Sequence, residues 1–157
     1  MEMTHTDKSG KLKMVDVSGK EKNLRTAKAQ AVILMKSETL KAIIENNIKK
    51  GDVLTAAKIA GIQAAKRTYE LIPLCHNIFI DHIDIQFIPD INNNSIKIFS
   101  LAKTYDKTGI EMEALTSVSL SALTVYDMCK AIDKTMTITN IKLLSKTGGK
   151  SGNYISE

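Results

Sequence analysis

Residues 78–103 read IFIDHIDIQFIPDINNNSIKIFSLAK. Ile80, His82, Asp84 and Gln86 alternate with Phe79, Asp81, Ile83, Ile85 and Phe87, which is the two-residue period of a half-buried strand. Asn92-Asn93-Asn94 supplies turn chemistry, and Ser95–Lys103 alternates again, so the stretch predicts a β-hairpin. Upstream, VLTAAKIAGIQAAKRTYELI (53–72) places Leu54, Ala57, Ile62, Ala65 and Tyr69 at helical spacing. Asp52 stands as N-cap after Gly51, and Pro73 ends the run. Gly61 and the alanines make this helix slim enough for close packing. Further upstream, LRTAKAQAVILM (24–35) suits a strand entering a core, and SETLKAIIENN (37–47) a short helix capped by Ser37 and stopped by Asn46 and Asn47. Beyond Gly109 a long helix is predicted from Met112 to Asp133, with Leu115, Val118, Ala122, Val125, Cys129 and Ile132 three and four apart. TMTITNIKLLSKT (135–147) supplies a last strand.

Without the extra short helix, the order is strand, helix, strand, strand, helix, strand. This is the split β-α-β pattern of a ferredoxin-like α+β sandwich, an antiparallel sheet with its main helices packed on one face. A chain of 157 residues, 43% hydrophobic and 25% charged, suits a single domain over 1–157. Residues 1–20 read as a mobile, Lys-rich arm and 147–157 as a Gly-rich loop and tail. With 4% aromatic residues and no Trp, a base-stacking nucleic-acid binder is disfavoured. No apolar stretch approaches the ~18 residues that span a bilayer, and the start has no signal-peptide segment. Two cysteines, Cys75 and Cys129, form neither a disulfide framework nor a zinc site, so a reducing cytoplasm is expected. The net charge of +5 falls in residues 1–50, and a solvated surface accounts for most of those lysines.

Several groups could carry chemistry. KTGGKSG (146–152) fails as a P-loop because position 144 is Leu and a helix does not follow. What is left is a Gly-rich turn with Lys146 and Lys150, equally an anion site or a tail. Lys49-Lys50-Gly51-Asp52 fits a phosphate site at a helix start or an exposed turn, and Lys66-Arg67 a phosphate clamp or a complement to the helix dipole. Glu113 and Asp127 fall about 40° apart around the long helix and share a face, and Asp127 and Lys130, three residues apart, can meet. Such pairs are common on solvated helix surfaces, but these charges stand amid small and apolar residues, where partial burial is expected. Next to Pro73-Leu74, His76 is a better acid-base candidate than Cys75, because neighbours in extended chain point apart. His76, His82 and a carboxylate have no recognisable metal-ligand spacing.

MVDVSGKE (14–21), SETL, KGD, AGIQAAKRTYELIPLCH, KTGIEMEALT, LTVYDMCKAIDK and KTGGKSG, in this order, resemble the MoaC family of molybdenum-cofactor biosynthesis, the cyclic pyranopterin monophosphate synthases. The resemblance covers Met14 to Gly152. It implies a phosphorus–oxygen lyase that rearranges 3′,8-cyclo-7,8-dihydroguanosine 5′-triphosphate to cyclic pyranopterin monophosphate with release of pyrophosphate. It further implies a ferredoxin-like subunit in a homohexamer, a trimer of dimers with sites at dimer interfaces. A radical S-adenosylmethionine enzyme lies upstream in the pathway. Carried over by position, Lys50, Lys130 and Asp127 are the catalytic group. Leu74, Cys75, His76, Met112 and Glu113 contact substrate, joined by Glu111 and Lys146, with Arg25, Lys66 and Arg67 as further basic candidates. A resident cofactor is not implied; Mg2+ would enter with the triphosphate. The runner-up is a nucleotide-binding module without chemistry, and a third reading is nucleic-acid binding through the basic arm.

Overall fold

The computed structural model describes residues 9–149 and 152–156. Lys150 and the first eight residues of the expected arm lie outside them. In chain order the elements are β1 (Asn23–Leu34), α1 (Ser37–Ile44), α2 (Val53–Lys66), α3 (Thr68–Leu71), β2 (His82–Asp90), β3 (Ser95–Asp106), α4 (Glu111–Cys129), β4 (Thr137–Thr147) and β5 (Tyr154–Ile155). The strands form one sheet in the order β2-β3-β1-β4-β5, and every pairing is antiparallel. Its first four strands have the ferredoxin-like arrangement, with α2 and α4 as the two crossovers.

The hairpin forms as its alternation predicts, with Asp90 opposite Ser95. Asn94 turns through a positive φ of 47°, which asparagine tolerates better than most residues. The Asp90 carboxylate accepts from the Asn93 backbone and side-chain N–H groups. Pro89 is accommodated because β2 is an edge strand. On β1, Arg25, Ala27, Ala29, Ala31 and Ile33 are buried, and the alanines let α4 approach closely with Ala114, Val118, Ala122, Val125 and Cys129. Among the described residues no helix covers the opposite sheet face; Leu24, Leu34, Ile88 and Tyr105 are exposed there.

α2 and α4 run antiparallel. Ser121 Oγ donates to Ala57 O at 3.0 Å, and a Cβ on Gly61 would fall inside Ser121 Oγ and Ile85 Cδ1, so the slim face expected from the sequence is where the helices touch. Lys58 ties α2 to the sheet edge through Asp84 at 2.8 Å. Among the described residues, no helix is long and apolar enough to cross a membrane.

Local details depart from the sequence reading. Lys36, not Ser37, is the N-cap of α1 and offers no side-chain bond. Its N–H instead donates to Asp133 at 2.9 Å, as does Thr39 Oγ1 at 3.2 Å. The helix does stop at Asn46, whose φ is 55°. Asn46 N–H bonds Ile43 O and Asn47 N–H bonds Ala42 O, the two bonds of a Schellman end. Asp52 caps α2 as expected, accepting from Thr55 N–H at 3.0 Å. The helix predicted to reach Pro73 breaks at Arg67 (φ −113°, ψ 13°) into α2 and α3. α4 ends at Cys129 rather than Asp133, leaving Ile132 exposed. Tyr154–Ile155 returns to pair with Ser145–Lys146, a short strand with no signal in the sequence.

Candidate active site

The candidate residues gather at the two ends of the α2/α4 pair. Glu113 and Asp127 are fourteen residues apart on α4, about 21 Å along the helix at 1.5 Å per residue. Their shared angular position does not make them neighbours. A ridge of packed helix lies between them, longer than one nucleotide's reach from ring to phosphate.

At the C-terminal end of α4, Asp127 holds two lysines. Lys130 Nζ lies 2.7 Å from Oδ1, and Lys50 Nζ lies 3.1 Å from Oδ2 and 2.8 Å from the Asp127 carbonyl oxygen. Lys50 reaches this position because Gly51 takes a φ of 101° just before the Asp52 cap. Hydrogen bonds from Lys130 and then Lys50 hold the Asp127 carboxyl below its usual range, and the bond to Asp127 raises Lys130. The partial burial expected for Glu113, Asp127 and Lys130 holds for Glu113, which is 4% exposed, and not for the other two, whose side chains are 58% and 53% exposed; that of Lys50 is 46% exposed. Lys50, Asp127 and Lys130 stand at the helix end, where no described residue buries them. In this state Lys130 is a firmly protonated cation.

The other end is a recess of about 390 Å³ lined by Leu74, Cys75, His76, Glu111, Met112 and Glu113, and also by Val15, Val17, Lys20, Thr108 and Gly109. It lies where α4 begins, beside the loop that follows α3. Glu113 is 4% exposed, and burial pushes its carboxyl up to about 7; its own backbone N–H pulls down and Glu111 pushes up. Glu111 is half-buried and paired with Lys146 at 3.0 Å. Burial, then the Glu113 charge, raises the Cys75 thiol, so Cys75 serves as a neutral wall and not as a thiolate. His76 Nε2 lies 2.7 Å from Val15 O. A carbonyl only accepts, so Nε2 carries the hydrogen and, in the neutral ring, Nδ1 is left as acceptor.

The remaining basic candidates divide. Arg25 is 7% exposed and donates to Asp106 O and Lys107 O at 2.8 and 2.9 Å, so it fixes the loop from β3 into α4. Lys66 and Arg67 are exposed at the α2/α3 break and do not line the recess. Sequence reasoning did not select Val15, Val17, Lys20, Thr108 or Gly109; the two valines flanking Asp16 in MVDVSGKE were the available signal. Among the described residues, no three His, Cys, Asp or Glu side chains are grouped to hold a metal ion.

A model of the MoaC family matches residues 14–149, a span that takes in both ends. The chain belongs to the MoaC family. The cyclic pyranopterin monophosphate synthase of Peptoclostridium acidaminophilum is 55% identical over 157 residues, which is 100% of this chain and 99% of that protein. The synthase of Thermoanaerobacter sp. (strain X514) is 54% identical over 157 residues, with the same coverage. Similarity to these synthases therefore runs the full length of the chain.

Proposed function

We propose that this chain is a cyclic pyranopterin monophosphate synthase, converting 3′,8-cyclo-7,8-dihydroguanosine 5′-triphosphate to cyclic pyranopterin monophosphate and pyrophosphate. The observation that carries the reading is the Lys50–Asp127–Lys130 constellation in a MoaC-family chain. Two ammonium groups on one carboxylate suit the α-phosphorus, where negative charge builds as a substrate hydroxyl attacks and pyrophosphate leaves. Asp127 sets their spacing. A substrate phosphate that competes for Asp127's hydrogen bonds frees one lysine to exchange protons with the ring system.

The recess suits the purine-derived end. Glu113 and Glu111 accept from ring and exocyclic N–H donors, while His76 holds a proton donor and an acceptor on opposite sides of one ring. The ~21 Å between the two ends is best met by a second copy, whose lysines cover this chain's recess. A trimer of dimers satisfies that need six times. In this reading a radical S-adenosylmethionine enzyme supplies the substrate, and Mg2+ enters as its counterion.

The test is incubation of the purified protein with the cyclised GTP intermediate, followed by assays for pyrophosphate and the pyranopterin. Both should appear in equal amounts. Saturable binding with neither product would assign the protein to the binding-module class.

A further inference from the structure

Residues 14–20 form a wall of the recess, and their backbone is bonded on both sides of it. Val15 O accepts from His76 at 2.7 Å, and Ser18 O accepts from Lys107 Nζ at 2.7 Å. Between these points Asp16 Oδ1 accepts from Ser18 N–H and Oγ–H at 2.8 and 2.7 Å, and Lys20 N–H closes a turn onto Val17 O at 3.1 Å. The turn is thus fixed from within and docked from without. It delivers Lys20 to the lining of the recess.

Lys20 differs from the other charged groups there. Glu111 is matched by Lys146, and Glu113 is buried and carries a proton near neutrality. Lys20 is the one cation among the described lining residues, and its ammonium has no hydrogen-bond or ion-pair partner among the described residues. Acids that accept N–H donors therefore occupy the interior, with an unpaired cation beside them. A nucleotide has the matching polarity, a base rich in N–H donors joined to an anionic phosphate chain.

Resting on the reaction proposed above, we infer that Lys20 is a substrate-binding residue that holds the phosphate chain of the purine nucleotide, with residues 14–20 as the strap that positions it. A lysine binds phosphate as a point charge on a flexible stem, so the contact tolerates a chain that shifts as pyrophosphate departs.

The experiment compares GTP with guanosine as calorimetric probes on the intact protein, alongside steady-state turnover. Lys20→Ala should weaken GTP binding about tenfold and leave guanosine binding unchanged, because the removed contact is a charge-assisted bond to phosphate. KM for the triphosphate should rise with kcat altered much less, and Lys20→Arg should restore most of both. Lys41→Ala, which removes an exposed charge on α1, should change neither. Equal loss of GTP and guanosine affinity, or an unchanged GTP affinity in Lys20→Ala, overturns the inference. Wild-type turnover with unchanged Lys20→Ala affinity leaves the reaction standing without Lys20. Lys20-dependent GTP binding without wild-type turnover does the reverse.

Discussion

Glu113, near the start of α4, and Asp127, near its end, are acids on one helix with opposite surroundings. Glu113 is 4% exposed, with no ion-pair partner among the described residues, and burial lifts it to about 7. Asp127 stands in water between two lysines whose hydrogen bonds hold it ionised. The recess has already undergone desolvation within one chain, so its chemistry is set before substrate arrives. The lysine cluster has not, and its charges interact weakly until something excludes water from them. A site needing both kinds of group gains from joining the bare cluster of one chain to the finished recess of another.

The largest expected effect lies at the bare end. Lys50→Ala and Lys130→Ala should each leave a folded protein and cut product formation by at least ~10²-fold, the usual scale for an acid/base group. Pyrophosphate release measures this, and near-normal turnover in both removes the cluster from the mechanism.

A structural acid near the same end provides the contrast. Asp133 is 1% exposed; burial pushes its carboxyl up, but hydrogen bonds from Lys36, Thr135 and Thr39 outweigh that and hold it at about 2. Asp133→Ala should destabilise the fold by about 2–4 kcal/mol in chemical denaturation, since several donors lose their acceptor at once. A depressed carboxyl stabilises above its unfolded value of 3.8. The wild-type advantage should therefore be full at pH 6 and fade as pH falls from 3.8 towards 2.

Glu113 should behave with the opposite sign. An acid raised from 4.5 to about 7 binds its proton more tightly in the fold than in the unfolded chain, so stability is lost as pH rises across that interval. Glu113→Gln should stabilise the protein by about 1–3 kcal/mol at pH 8, show no such gain at pH 4, and lower turnover. Melting curves at the two pH values decide it; a gain of equal size at both contradicts the account. The smallest effect is expected for Asp127→Asn, whose exposed pairs should leave Tm unchanged while turnover falls.

The sequence made the hairpin, the Asp52 cap, the Asn46 stop and the strand order legible because each rests on local periodicity or turn chemistry. The cap of α1 was hidden, because its acceptor, Asp133, lies 97 positions from Lys36. The break at Arg67 was equally hidden, since KRTYEL continues a helical composition. The candidate site residues were singled out largely through family motifs, while their division into two groups follows from helix rise. The angular repeat alone placed Glu113 and Asp127 on one face; the 1.5 Å rise puts them at opposite ends. The strap was missed because a polar, glycine-punctuated segment has no periodic signal, and only its contacts with His76 and Lys107 reveal its path.

The central claim, one site built from the recess of one chain and the lysines of another, is tested by mixing inactive subunits. Lys130→Ala and His76→Ala proteins, each inactive alone, should regain roughly a quarter of wild-type activity when co-assembled at equal amounts, because mixed dimers contain one intact site. Lys50→Ala mixed with Lys130→Ala should remain inactive, since both lysines belong to the Asp127 of one chain. No recovery in the first mixture, or recovery in the second, would contradict the account.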